Sequence, residues 1–390
     1  QIPLEAIASE FHWNQLYDRI LDLADNHKST LVFVNTRRLA ERIAYVLTER
    51  LGEDLVGTHH GSLSKKLRFE AEQKLKAGEY KILVATASLE LGIDIGDVDL
   101  VCQIGSARSI ATALQRIGRA GHWLGAIPKG RIFATTRDDL IECAALVEAI
   151  YDGDLDRLTI LEKPMDILAQ QLVATCSTGD WQEDDLYEMV VKAYPYRNLS
   201  REEFDKVLSM LSEGLAGQYY SYGRYLHRDT VNKRVRGRRG AKMYAITNGG
   251  AIPEKNVFTV YAQPGEIKVG TLDEDFAVEI MRGDIILLGN TSWRVKNVEG
   301  MASVVNVEDA RGKAPTIPFW LGESPGRTRE LSQYVSKIRE LVNQAIKHED
   351  KDSALLHLIS NCRMTGDAAQ QIIKYIEEGK AVLGEVATLE

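Results

Sequence analysis

QRIGRAGH, residues 115–122, places two arginines, two glycines and a histidine within eight positions of a chain whose net charge is −8. An arginine fork matches phosphate oxygens, and one delivered to a γ-phosphate stabilises the charge that develops in phosphoryl transfer. Glycines let the loop approach its target closely. A second stretch, VATASLELGIDIG (84–96), leaves an apolar run through Thr86, Ser88 and Gly92 to reach Asp94. Small hydroxyl residues and glycine suit a phosphate, and a carboxylate beyond them can accept from ribose hydroxyls. Each stretch alone is equally an ordinary strand-end turn or a helix-start salt bridge.

The elements that must carry these loops read as alternating strand and helix. TLVFV (30–34), KILVATA (81–87), DLVCQIG (99–105) and RIFATT (131–136) are continuous apolar runs. Between the first two, RRLAERIAYVLTERL (37–51) sets Leu39, Ile43, Val46, Leu47 and Leu51 at helical spacing. Buried strands alternating with helices predict an α/β domain over 1–158, a parallel sheet with helices on both faces, whose ligands gather at the carboxyl ends of the strands. Over 159–250, three short helices precede a β-hairpin, the winged-helix pattern. The third helix, SREEFDKVLSML, opens on a capping box of Ser200 and Glu203. Residues 251–390 comprise six strand-like runs at roughly ten-residue intervals, predicting a small β-barrel, and then C-terminal helices.

The order LVFVNTRR, HHGSLS, VATASLELGIDIG, QRIGRAGH resembles motifs IV, IVa, V and VI of superfamily 2 helicases, which belong to the second RecA-like motor domain. Further strings, SLELGIDIGDVDLV, RGRRGAKMYAITNGGAIP, VGTLDEDFA, LGNTSWRV and IPFWLGE, are similar to the large helicase-related (Lhr) family, and this likeness covers essentially the whole chain. The resemblance implies an ATP-dependent translocase and helicase moving 3′ to 5′ on single-stranded DNA, unwinding DNA and RNA–DNA duplexes, with a role in DNA repair. Carried over, Arg119 is the main arginine finger with Arg116 beside it, and Gly92, Asp94, Arg116, Arg119 and His122 contact ATP. His122 stands where many of these motors have another arginine, and is a weaker cation near neutral pH. Asn35, Thr36, Arg37, Ser62 and Thr86 face the sugar–phosphate backbone of the tracking strand.

No G-x-x-x-x-G-K-[ST] string and no DExH box occurs in the 390 residues. The resemblance therefore puts most of the binding of ATP and Mg²⁺ in a first motor domain expected before Gln1, and a lone second domain is expected not to hydrolyse ATP. A passive single-stranded nucleic-acid-binding module and a protein-interaction scaffold are the rival readings.

Residues 219–242 hold eight Lys/Arg against one acid, with four tyrosines interleaved. Cations neutralise phosphates and aromatic rings stack on bases, so Arg236, Arg238 and Arg239 are candidate strand contacts. Trp320, in the proline-rich PTIPFWLGESPGR, is either a plug or a stacking platform. His59 and His60 have no partner cluster, so no metal centre is expected and they are assigned a structural or strand-contacting role. Four dispersed cysteines and the absence of a long apolar run or signal peptide point to a reducing cytoplasm and no membrane.

Overall fold

The structure, a computed structural model, describes residues 4–5, 7–90, 96, 98–121, 127–214, 224–247, 257–322 and 326–383. It divides into two compact units, residues 1–157 with 255–390, and residues 158–254. The segment expected as a separate third domain thus shares a unit with the motor-like segment.

The first unit opens with α1 (Glu10–Asp25), β1 (Thr30–Phe33), α2 (Arg37–Leu51), β2 (Val56–His59), α3 (Lys65–Lys76) and β3 (Ile82–Ala85). It continues with β4 (Leu100–Ile104), α4 (Ile110–Ile117), β5 (Gly130–Phe133) and α5 (Arg137–Asp152). The strands form one parallel sheet in the order β2-β3-β1-β4-β5. Because side chains alternate along a strand, β1 sends Val32 into one core and Leu31 and Phe33 into the other. Val32 packs with Ile20, Ile43, Leu47 and Cys102, whereas Leu31 and Phe33 pack with Ala71, Leu75 and Leu83. Both faces are covered, as the continuous apolar runs require. Strand β2, VGTH, escapes the sequence reading because only one of its four residues is a large apolar one.

The second unit contains α6 (Met165–Cys176), β6 (Trp181–Gln182), α7 (Glu183–Val191), α8 (Arg201–Glu213), β7 (Leu226–Asp229), β8 (Arg234–Gly237) and α9 (Ala241–Thr247). The capping box is present: the Ser200 side chain accepts from the Glu203 N–H, and the Glu203 carboxylate accepts from the Ser200 N–H. Phe204, Val207, Leu208 and Leu211 carry the apolar stripe of α8 into the core. The hairpin adds β6 as a third antiparallel strand, in the order β6-β8-β7. AKMYAIT, read as part of the hairpin, is instead α9. Gly240, at φ 95°, turns the chain, and Ala241 is buried against the helical core.

The first unit resumes with β9 (Val257–Ala262), β10 (Ile267–Asp273), α10 (Glu274–Glu279), β11 (Ile285–Leu287), β12 (Ser292–Glu299) and β13 (Val304–Asp309). These strands make a curled five-stranded sheet in the order β10-β9-β13-β12-β11, with β13 and β9 parallel and the other pairs antiparallel. The expected barrel is open: among the described residues β10 and β11 do not pair. Each has its own short bridge instead, Gly270 to Leu63 and Ile286 to Thr316. DFAVEIM, read as a strand, is helix α10 because Asp273 caps it, accepting from the Asp275 N–H. Helices α11 (Arg329–Lys347), α12 (Lys351–Ser360) and α13 (Gly366–Leu383) bury Leu331, Ile338, Leu358 and Ile372 against Ile141 and Ala145 of α5.

Candidate nucleotide and nucleic-acid site

The loops that follow β1 to β4 all lie at the carboxyl ends of a parallel sheet, where the sequence places its candidate chemistry. Helix α4 starts at Ser109, whose hydroxyl accepts from the Thr112 N–H. Its buried stripe runs Ile110, Ala113 and then Arg116, so helical spacing turns this arginine inward. Arg116 is 4% exposed, with its guanidinium 5.3 Å from the centre of the Phe33 ring. Nε donates to Glu90 Oε1 at 2.7 Å, and Nη2 donates to the same oxygen. Nη1 donates to Asn35 Oδ1 at 3.0 Å and to Gln103 Oε1 at 2.9 Å. One cation therefore joins the end of β1, the loop after β3, strand β4 and helix α4. Arg116, expected beside the finger on the triphosphate, is here bonded to Glu90, Asn35 and Gln103.

Arg119 lies one turn beyond, half-exposed, with its N–H donating to the Arg116 carbonyl at 3.1 Å and Nε reaching the Gln115 carbonyl at 3.4 Å. The loop is pinned from below. Gly121, at φ 70°, donates to the Val98 carbonyl, and Ala120 bridges Val98 in parallel. The QRIGRAGH loop thus sits beside Val98, at the start of the run that leads into β4. Gly92, Asp94 and His122 lie outside the described residues, and so does Trp123.

Two carboxylates hold the neighbouring loop after β4. Asp139 Oδ1 accepts from the Ser106 N–H at 2.8 Å, and Oδ2 accepts from the Thr135 N–H at 2.7 Å. Asp156 accepts from Ser109 Oγ and the Ala111 N–H. Burial raises the Asp156 carboxyl, but hydrogen bonds from Thr328, Ala111, Ser109 and Ile110 outweigh it and leave the group below its ordinary range.

The residues expected along the nucleic-acid strand are not equivalent. Asn35 is committed on both sides, to Arg116 and to the Ser106 carbonyl at 2.7 Å. The Thr36 hydroxyl caps α2 through the Leu39 N–H. Thr86 and Ser62 are buried. Arg37 is half-exposed; its Nη1 donates to Ser62 Oγ at 2.6 Å and its guanidinium lies 5.8 Å from the centre of the Trp320 ring. Trp320 is 8% exposed and belongs to the core of the curled sheet, with His60 packed 5.7 Å away.

His60 and Glu41 are both fully buried. Glu41 Oε1 accepts from His60 Nε2 at 2.8 Å and from the Gly289 N–H at 2.6 Å, and Oε2 accepts from the Asn290 N–H at 3.0 Å. His59 lies 3.0 Å from Glu72 and 2.7 Å from Ser88. Burial lowers its pKa, partly offset by Glu72. Both histidines are structural joints. Sequence reasoning missed Glu41, Glu90 and Gln103, since an isolated acid or amide in a helix or strand carries no spacing signal.

Glu148, His357 and Cys362 come within 4.8 Å of one another. Lys337 Nζ lies 2.8 Å from Glu148, which neutralises the buried carboxylate. All four cysteines are reduced and buried.

In the second unit the basic hairpin separates into two kinds of arginine. Arg228 is internal, bonded to both Glu183 oxygens and to Asp205. Arg236, Arg238 and Arg239 are exposed. Arg238 Nε donates to the Leu226 carbonyl at 2.8 Å, which anchors that side chain's stem on the hairpin. Tyr219, Tyr220 and Tyr222 lie outside the described residues.

Comparison with known proteins places this geometry. The helicase conserved C-terminal domain family matches residues 13–123, and the winged helix domain of the large helicase-related protein matches residues 148–317. The "ATP-dependent helicase Lhr-Core protein 2" of Thermococcus barophilus is 38% identical over 369 residues, 93% of this chain and 42% of the relative. The "Lhr helicase/uracil glycosylase" of Escherichia coli is 38% identical over 367 residues, 85% of this chain and 24% of the relative. Among solved structures, the Mycobacterium smegmatis helicase Lhr bound to single-stranded DNA and AMP-PNP superposes with a TM-score of 0.69 at 33% identity, covering 95% of this chain and 43% of that one. The chain spans less than half the length of these relatives.

Proposed function

Because this chain belongs to the large helicase-related (Lhr) family of superfamily 2 helicases, we propose that it forms the second lobe of an ATP-driven motor on single-stranded DNA, together with the accessory elements that hold the strand. The observation that carries this reading is the Arg116 hub. Asn35, Glu90 and Gln103 are drawn around one buried guanidinium at the carboxyl ends of the sheet, and Arg119 follows one turn later at the surface. A hub of this kind fixes the loops relative to one another, so that a finger arginine can be aimed without reorganisation when charge develops.

In this reading ATP is the substrate and Arg119 is the catalytic residue that meets its γ-phosphate. Asp94 takes the ribose side, Gly92 lets the loop approach the phosphates, and His122 adds a weaker cation. Glu90, the carboxylate bound to Arg116, is already committed. This lobe therefore offers cations to the triphosphate, and Mg²⁺, which would neutralise phosphate charge, is assigned to the facing lobe. Closure of the two lobes on Mg-ATP and reopening after hydrolysis would shift a backbone grip centred on Arg37, with the exposed wing arginines as a second grip. Backbone contact of this kind gives hold without base specificity. The motor is assigned 3′ to 5′ movement, unwinding of DNA and RNA–DNA duplexes in repair, and a cytoplasmic setting. No described helix is long and apolar enough to cross a membrane.

Strand-stimulated ATP hydrolysis by the whole protein, with directional unwinding of tailed duplexes, tests the proposal. The reading expects stimulation by single-stranded DNA and unwinding from a 3′ tail. Strand binding with neither nucleotide binding nor hydrolysis would favour a passive binding module, and absence of strand binding a protein scaffold.

A further inference from the structure

The curled sheet touches the motor sheet where the strand-facing loop is built. Residues 60–64 follow β2 and run along the edge of β10. The Ser64 N–H donates to the Val269 carbonyl at 2.7 Å, the Thr271 N–H donates to the Ser62 carbonyl at 2.8 Å, and Leu63 bridges Gly270. The approach is close enough that a Cβ at position 270 would overlap the Ser62 carbonyl oxygen. Glycine is therefore required there by packing rather than by backbone angle. A second clasp sits beside the first, where Glu41 collects His60 and the two main-chain donors of Gly289 and Asn290. Asn290 also donates from its side chain to Thr48 Oγ1 at 2.7 Å. The turn between β11 and β12 is thereby fastened to helix α2, whose first residue is Arg37.

Both clasps converge on Arg37. Its guanidinium is held by Ser62, which the edge of β10 positions, and by the ring of Trp320, which belongs to the curled sheet's core. We propose that the curled sheet is the positioning element for Arg37, and that Gly270 and Glu41 are positioning residues for nucleic-acid grip by the motor sheet. The inference rests on Arg37 meeting the strand backbone. It adds that the accessory sheet acts through the motor lobe's own loop: the sheet sets the height of residues 60–64, these set Ser62, and Ser62 with Trp320 sets Arg37.

The test is a double-mutant cycle on this chain, read as binding of a fluorescein-labelled oligothymidylate across a salt series. Arg37→Ala is expected to weaken binding about fivefold and to reduce the salt slope by about one, the signature of a lost phosphate contact. Gly270→Ala, which pushes the loop away, is expected to do the same, and the double variant to bind no more than about twofold weaker than either single one. If the two losses multiply, or if Gly270→Ala binds as the parent while Arg37→Ala does not, the positioning proposal is overturned and the strand-contact reading survives. If Arg37→Ala binds as the parent, the strand-contact reading itself fails and takes the proposal with it. Should Gly270→Ala not fold, Glu41→Gln replaces it in the cycle. Its amide loses the acceptor facing Asn290, and the same non-additivity with Arg37→Ala is expected.

Discussion

Arg116 Nε donates to Glu90 Oε1 at 2.7 Å, in an ion pair whose side chains are 5% and 14% exposed and which ties the loop leaving β3 to helix α4. The pair links the two stretches that first suggested nucleotide chemistry, and it leaves Arg119 as the arginine of QRIGRAGH at the surface. Each stretch alone could have been an ordinary turn. Their described parts are joined through one buried guanidinium.

Breaking a buried pair by removing one partner leaves an uncompensated charge and costs about 3–5 kcal/mol. Arg116→Ala is expected to show a loss of that order in urea unfolding. Arg116→Lys is expected to recover little of it, because a point charge cannot serve Glu90, Asn35 and Gln103 together. A lysine variant within about 1 kcal/mol of the parent would contradict the hub.

The wing separates binding from stability. Arg236→Glu with Arg239→Glu should weaken single-stranded DNA binding and flatten its salt dependence by about two, with the melting profile unchanged. Arg228→Ala should instead unfold the second unit more readily, since it removes both short bonds to Glu183, which is 3% exposed, and leaves it the longer contact with Arg201 at 3.4 Å. Anisotropy and thermal melting on the same samples distinguish the two, and a melting loss in the surface pair would count against the strand-grip reading.

His59 supplies a pH signature. Burial lowers its folded pKa from 6.5 despite Glu72, so the unfolded chain binds the proton more readily. Its contribution is fully present above about pH 6.5 and is lost as the pH falls below that value toward the folded pKa. Stability of His59→Gln should therefore fall less than the parent's between neutral pH and about pH 5. Parallel pH profiles for the two proteins would refute this.

The capping box of α8 is a local device with a local cost. Ser200→Ala should destabilise the second unit by about 1 kcal/mol in a denaturant titration, with strand affinity unaffected. A loss of strand affinity at constant stability would mean that α8 itself meets nucleic acid.

Much of the frame was legible in the sequence because it is written in local periodicity. Continuous apolar runs marked β1, β3 and β4, and the Ser200–Glu203 spacing marked the start of α8. Strand β2 was not legible, since VGTH is held in place by its neighbours rather than by its own composition. DFAVEIM and AKMYAIT alternate like strands, yet an aspartate cap and a glycine turn make them helices. Of the candidate site, residue types identified the loops, while orientation came only from packing. Arg116 faces inward because it continues the stripe of Ile110 and Ala113, and Trp320 belongs to the curled sheet's core. Glu41 and Glu90 were silent, because a buried acid is defined by partners far away in the chain.

The most direct test of the central claim, that Arg119 is aimed at a nucleotide from a prearranged surface, is steady-state ATP hydrolysis by the whole protein carrying Arg119→Ala at saturating single-stranded DNA. The account predicts a fall in kcat on the order of a thousandfold with strand affinity retained. An unchanged kcat would contradict it.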